Sequence, residues 1–223
     1  MSISEKYAPQ CAADLIIEDP ITRQRVAEYA DGSRTGHVLF EGPRGSGKSS
    51  AANVISKARR SLAQNPALTG DTHSFIRPLN GATFTTQSID EILRDWDWQF
   101  SLGVKKPVSL IDEIDKISSS TLDKLQAFLD DKGARGQVIA TTNHVGSLSV
   151  PLQDRFDVIS LPAISDPLSF EPRIRTILHG EEIAISDEGL RTILGEVAGS
   201  WRDALKRTED IIVSLRSAVA EQG

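Results

Sequence analysis

The stretch Gly42-Pro43-Arg44-Gly45-Ser46-Gly47-Lys48-Ser49 constrains this 223-residue chain more than any other feature. It fits the pattern G-x-x-x-x-G-K-[ST]. A short apolar run, His37-Val38-Leu39-Phe40, leads into it, and Ala51–Ala63 follows with Ala, Val and Ile at helical spacing. A strand, a glycine-rich turn and a helix in that order gather backbone N–H groups around one point. The positive end of the helix faces the same point. That is a cradle for phosphate. Residues Gly42, Pro43, Arg44, Gly45, Ser46, Gly47 and Ser50 form its wall. Lys48 reaches the β- and γ-phosphates of a nucleoside triphosphate, and the Ser49 hydroxyl ligates Mg²⁺.

Such a cradle needs an acidic partner at the end of a second strand, and Val108-Ser109-Leu110-Ile111-Asp112-Glu113 supplies one. A buried strand puts Asp112 at its carboxyl end, where open α/β sheets bind ligands. Asp112 serves the metal there through water or Ser49, and Glu113 polarises the attacking water as general base. Asp115, two residues on, reads as a helix-start or solvent-facing charge.

The remaining pattern places these motifs in a fold. Further strands are expected at Ser74–Leu79, Gln137–Thr141 and Val158–Leu161, with helices at Ser88–Gln99 and Ser120–Leu129 between them. Ser88 with Glu91 has the spacing of a capping box. Strands alternating with helices imply a parallel sheet covered on both faces. After Leu161 the texture changes: Pro162 and Pro167 punctuate a turn, and three helices follow at Ser169–His179, Ser186–Ala198 and Ser200–Ala220. The expected fold is a P-loop αβα sandwich over 1–162 followed by a small all-α lid over 163–223. Trp96, Trp98 and Phe100 read as packing or interface residues.

Composition excludes other classes. With 39% apolar residues and 16 glycines the chain is globular rather than disordered. No apolar run is long enough to cross a bilayer, and the start MSISEKYAPQ lacks a signal-peptide layout, so a cytoplasmic protein without membrane contact is expected. The lone Cys11 forms no internal disulfide, and no Cys/His cluster suggests zinc. A net charge of −6 disfavours indiscriminate phosphate binding but leaves room for a local basic patch such as Lys57–Arg60 or Lys105-Lys106.

From Lys6 to about Leu215 the chain resembles an AAA+ ATPase, and within that group the small subunits of sliding-clamp loaders such as replication factor C. Glu5-Lys6-Tyr7-Ala8-Pro9 is similar to the family's Lys-Tyr-Arg-Pro opening, while Ile17-Glu18 replaces its usual Gly-Gln. The resemblance implies that Tyr7, Pro9 and Ile16 border the adenine of ATP; without it, Tyr7 and Pro9 read as packing of a terminal arm. Leu79-Asn80-Gly81-Ala82 resembles Leu-Asn-Ala-Ser, which makes Asn80 a switch that holds Glu113 away from water until DNA binds. Thr141-Thr142-Asn143 looks like the sensor 1 site, with Asn143 positioning the lytic water. Pro151–Phe156 lies where clamp loaders carry Ser-Arg-Cys, so Arg155 corresponds to the finger that enters a neighbouring subunit's site, although Asp154 and Phe156 replace the serine and cysteine. Gly199–Leu205 is similar to the sensor 2 signature, with Arg202 leaning on the γ-phosphate.

The implied function is an ATP-hydrolysing motor subunit, requiring ATP and Mg²⁺, in a homo- or hetero-oligomeric assembly that acts on DNA during replication. The sliding clamp and primer–template DNA are the implied partners. A helicase loader, a transposition regulator or a protein remodeller uses the same parts, and a nucleotide-gated scaffold with little turnover is a third reading. Clamp-loader subunits carry a third helical domain as a collar. Here Gly223 closely follows the lid, which leaves two expectations: a collar that was cut away, or a subunit that assembles through its ATPase domain alone.

Overall fold

The computed structural model describes residues 2–61, 78–195, 197 and 199–220. Five strands form one parallel sheet in the order β2-β3-β4-β1-β5: β1 (Val38–Glu41), β2 (Leu79–Asn80), β3 (Val108–Asp112), β4 (Gln137–Thr142) and β5 (Asp157–Ser160). Residues 74–77 of the expected Ser74–Leu79 strand lie outside the described residues. The order leaves β1 between β4 and β5, with Glu41 opposite Thr142 on one side and Ser160 on the other. On the far side of β4, Ile111 of β3 lies opposite Ala140. The carboxyl ends of β1, β3 and β4 therefore emerge side by side, at the edge where parallel sheets bind ligands.

Alternation along the strands fixes what covers each face. Val38, Phe40, Leu110, Ile139 and Ile159 pack with Val26 and Tyr29 of α2 (Pro20–Asp31) and Ala51, Ala52 and Ile55 of α3 (Lys48–Ser61). Leu39, Ile111, Val138 and Ala140 point the other way, to Ile89, Ile92 and Trp96 of α4 (Thr86–Ser101) and Leu125, Phe128 and Leu129 of α5 (Ser119–Lys132). Trp96 is fully buried and meets Phe128 at 5.4 Å between ring centroids. Trp98 and Phe100, one turn further on, are partly exposed.

One local reading needs correction, and one helix was not expected. Helix α4 starts at Thr86, and Ser88 sits inside it: its hydroxyl accepts the Thr85 N–H at 3.1 Å, so the cap lies one turn earlier than the Ser88/Glu91 spacing suggests. Helix α2 is not announced by apolar periodicity, since it buries only Val26, Tyr29 and Ala30. It is set instead by its ends: Asp19 accepts the Thr22 N–H at 2.7 Å, Pro20 occupies the first turn, and Gly32 ends it in the left-handed region.

The helical end consists of α7 (Glu171–Gly180), α8 (Asp187–Gly195) and α9 (Trp201–Ala220) around Phe170, Ile174, Ile177, Leu190, Leu194 and Ala204. Ile3 of α1 (Ile3–Lys6), Tyr7 and Ile16 pack on this cluster, whereas Ile17 belongs to the sheet core. The amino-terminal arm thus spans both bodies. Glu181, its side chain nearly enclosed, fastens the arm by accepting from Lys6 Nζ (2.6 Å), Tyr7 Oη (2.9 Å) and Arg216 (2.7 Å).

Candidate nucleotide site

The Gly42–Ser49 turn leaves β1 and enters α3 in a conformation that side chains oppose. Gly42 has φ 149°, and a Cβ there would meet the Leu161 carbonyl oxygen at 2.0 Å. Gly45 has φ 82°, and a Cβ there would meet Ser200 Oγ at 2.3 Å. The Trp201 N–H also donates to the Gly45 carbonyl at 3.2 Å, so the start of α9 rests directly on the loop.

Lys48 is buried and donates to the Gly42 and Pro43 carbonyls at 2.8 and 2.7 Å. Burial pulls its ammonium below the ordinary lysine range, and Arg202 pushes it further in that direction. Asp112, Asp115 and Glu113 oppose the change. Ser49 Oγ donates to Asp112 Oδ1 at 3.2 Å, and the Thr141 hydroxyl donates to the same oxygen. Glu113 takes a left-handed conformation, φ 55° and ψ 54°, with its N–H on Thr141 Oγ1 at 3.0 Å. That turn separates the two carboxylates: Asp112 stays beside Ser49, and Glu113 enters the cleft.

Lys48, Ser49, Asp112, Glu113, Thr141, Asn143 and Arg202 line a polar cleft of about 300 Å³ together with Tyr7, Pro9, Arg44, Gly45, Gly47 and Ser50. A second, apolar compartment of about 30 Å³ joins it, lined by Pro9, Ile16, Ile17, Ser46, Leu161 and Trp201. The volumes differ tenfold: the polar part accommodates a phosphate chain, while the apolar part has room for a water or two. The residues fit a magnesium nucleotide. Ser46 Oγ is buried without a partner in the loop, nothing lies within 4 Å of the Gly47 Cβ direction, and Ser49 and Asp112 set two hard oxygen donors together.

Other candidate residues lie as follows. Asn80 is opposite Asp112 in the sheet, but its amide oxygen accepts the Ala82 N–H at 2.8 Å. The Glu113 carboxylate is instead paired with Lys116. In this conformation Lys116, not Asn80, is the partner of the Glu113 carboxylate. Arg155, just after α6 (Val150–Gln153), does not line the cleft; it grips both Asp130 oxygens, at 2.8 and 3.1 Å, and the Pro151 carbonyl. Tyr7 reaches the polar cleft with its hydroxyl committed to Glu181.

Two contributions escaped sequence reasoning. Asp115 is not solvent-facing: it is half-buried, and its Oδ1 accepts from Thr142 Oγ1 at 2.8 Å and from the Asn143 N–H at 3.4 Å. Glu18, where the resemblance expects Gln, accepts from the N–H and hydroxyl of Ser165 and from Asp166 and Ser169, at 2.8–3.1 Å. These four donors hold its carboxyl near pKa 2, the Ser165 N–H contributing most. The only sequence hint was that an acid replaced a neutral residue.

Known proteins resemble this chain in sequence and fold. The chain is 26% identical over 215 residues to the replication factor C small subunit of Haloarcula marismortui, covering 94% of this chain and 62% of that protein. It is 26% identical over 205 residues to the Natronomonas pharaonis subunit, of which it spans 59%. Among solved structures, Thermotoga maritima RuvB superposes with TM-score 0.72 at 19% identity, over 94% of this chain and 67% of that one, which establishes likeness of fold. A model of the ATPase family associated with various cellular activities (AAA) matches residues 38–162, more than half of the chain. That span runs from β1 through the Gly42–Ser49 turn to the end of β5, and the chain belongs to this family.

Proposed function

We propose that the protein is an ATP-hydrolysing motor subunit that works between neighbouring subunits on DNA, as a clamp-loader-like AAA+ ATPase. The supporting observation is a division of parts. Lys48, Ser49, Asp112, Glu113, Asn143 and Arg202 line one cleft, while Arg155 sits outside it on an exposed face. A site that has everything except its finger is suited to be completed by a neighbour. The similarity to replication factor C small subunits supports the DNA-linked setting.

In this reading Lys48 exchanges its two carbonyl partners for β- and γ-phosphate oxygens, and Ser49 and Asp112 hold the magnesium. The ion supplies neutralising charge to the phosphates. Glu113, freed from Lys116, takes a proton from water as the water oxygen attacks the γ-phosphorus. The bond to the β–γ bridging oxygen breaks, leaving ADP and phosphate. Asn143 orients that water, and Arg202 with a neighbour's Arg155 stabilises the charge on the phosphoryl group. Tyr7, Pro9 and Ile16 border the base. The apolar compartment is too small for a purine as it stands, so base entry requires the arm and lid to part. Asn80 takes over from Lys116 as the restraint on Glu113 in other conformations.

The test measures ATPase rate with and without primer–template DNA, alongside mass in solution with a slowly hydrolysed ATP analogue. Turnover that needs Glu113, rises with DNA and accompanies assembly is expected. Full activity from a dilute monomer would overturn the intersubunit reading, and turnover intact in Glu113→Gln would overturn the mechanism.

A further inference from the structure

Beyond Ile111–Ala140 the β3–β4 ladder ends, and side chains take over its work. Two adjacent, fully buried threonines carry the join. Thr141 bonds Asp112 and the Glu113 N–H; Thr142 bonds Asp115 and accepts the His144 N–H at 3.0 Å. Asp115 Oδ1 therefore grips the turn Thr142-Asn143-His144 through both the Thr142 hydroxyl and the Asn143 N–H. The Asn143 side-chain amide has no hydrogen-bond partner among the described residues, and Asn143 lines the cleft. With its backbone clamped, the point from which that amide reaches into the cleft is fixed.

We infer that Asp115 is a positioning residue for hydrolysis: it holds the β4 turn so that the Asn143 amide points at the attacking water. The inference rests on the proposed ATPase reading and deepens it. Asp115 does not carry the proton, because it does not line the cleft from which the water attacks. Its task needs an acceptor, not a charge. An asparagine Oδ1 in the same place still accepts from Thr142 and from the Asn143 N–H.

The test compares Asp115→Ala, Asp115→Asn, Thr142→Val and Asn143→Ala, with the double variant Asp115→Ala/Asn143→Ala, by steady-state ATPase and by binding of a fluorescent ATP analogue. Asp115→Ala and Thr142→Val are expected to lower kcat tenfold or more while analogue affinity stays within twofold. Asp115→Asn is expected to recover kcat to within about threefold of the parent, and the double variant to be no slower than Asn143→Ala alone. Far-ultraviolet circular dichroism and the retained affinity identify variants that fold. An Asp115→Asn variant as slow as Asp115→Ala would overturn the inference by showing that the charge is required. So would multiplying losses in the double variant, or an unimpaired Asp115→Ala. Absence of turnover in the parent, with analogue still bound, would overturn the ATPase reading itself; turnover in the parent with any of those three outcomes overturns only the role of Asp115.

Discussion

Gly45 ties the Gly42–Ser49 loop to the start of α9 through one missing methyl group. Gly45→Ala places a side chain at φ 82° and drives its Cβ to 2.3 Å from Ser200 Oγ, beside the Trp201 N–H that docks on the same residue. The left-handed conformation alone costs roughly 1–2 kcal/mol. A thermal scan should show Tm lower by about 2–8 °C, and the fluorescent analogue should bind more weakly as α9 lifts from the loop. An unchanged Tm and affinity would mean that α9 does not rest on the loop in solution. At this scale the sequence was legible wherever contacts are local. The Gly42–Ser49 turn between β1 and α3 lies in eight consecutive residues, and Asp112 ends a single strand with Glu113 next to it. Asp115 does sit in the first turn of a short helix, as its position suggested, but its bond to Thr142, 27 residues away, was not legible, and neither was that of Glu18 to Ser165, 147 away.

Among the elements, two carboxylate and imidazole contacts give opposite ends of the sheet different sensitivities to acid. Glu18 joins the arm to the segment that begins the helical end, and its folded pKa near 2 lies below the ordinary 4.5. The folded state then binds fewer protons than the unfolded one in that interval. The clasp is fully present above about pH 4.5 and is lost as pH falls toward 2. Glu18→Ala should lower Tm at pH 7 and narrow its gap to the parent as pH drops through this range; a gap independent of pH would dismiss the clasp. His37, before β1, is a separate case. Its Nδ1 accepts the Val138 N–H at 2.9 Å, and burial, aided by Lys106, depresses its pKa from 6.5 to about 4. The unfolded chain takes the proton first, so stability falls as pH drops from about 6.5 through 4, by on the order of 3 kcal/mol. His37→Asn keeps an acceptor for Val138 without a titrating ring, and Tm against pH should lose that slope; an unaltered slope would assign it elsewhere. Element order was legible because strand and helix periods differ so plainly, while α2, defined by its caps, was not.

For the whole molecule the decisive question is whether sites are shared between copies. Arg155→Ala removes the proposed finger and keeps the cleft; Glu113→Gln keeps that arginine and removes the proposed base. Each variant alone is expected to fall at least 10³-fold in ATPase rate. An equimolar mixture should regain a measurable fraction, since some junctions then combine an intact cleft with an intact Arg155. A mixture no faster than its components would place the finger in its own subunit's chemistry or outside it altogether. What the sequence could not convey at this scale is the path of the arm, whose Ile3, Tyr7 and Ile16 cover the helical core while Ile17 stays with the sheet.

That path has a mechanical consequence. The polypeptide passes between the two bodies twice before α7, once near Ile16-Ile17 and once near Leu161–Ser165, and Glu18 bolts these passages together. A door hung on two pins swings about the line joining them and does not tumble. Opening of the helical end should therefore follow a single arc.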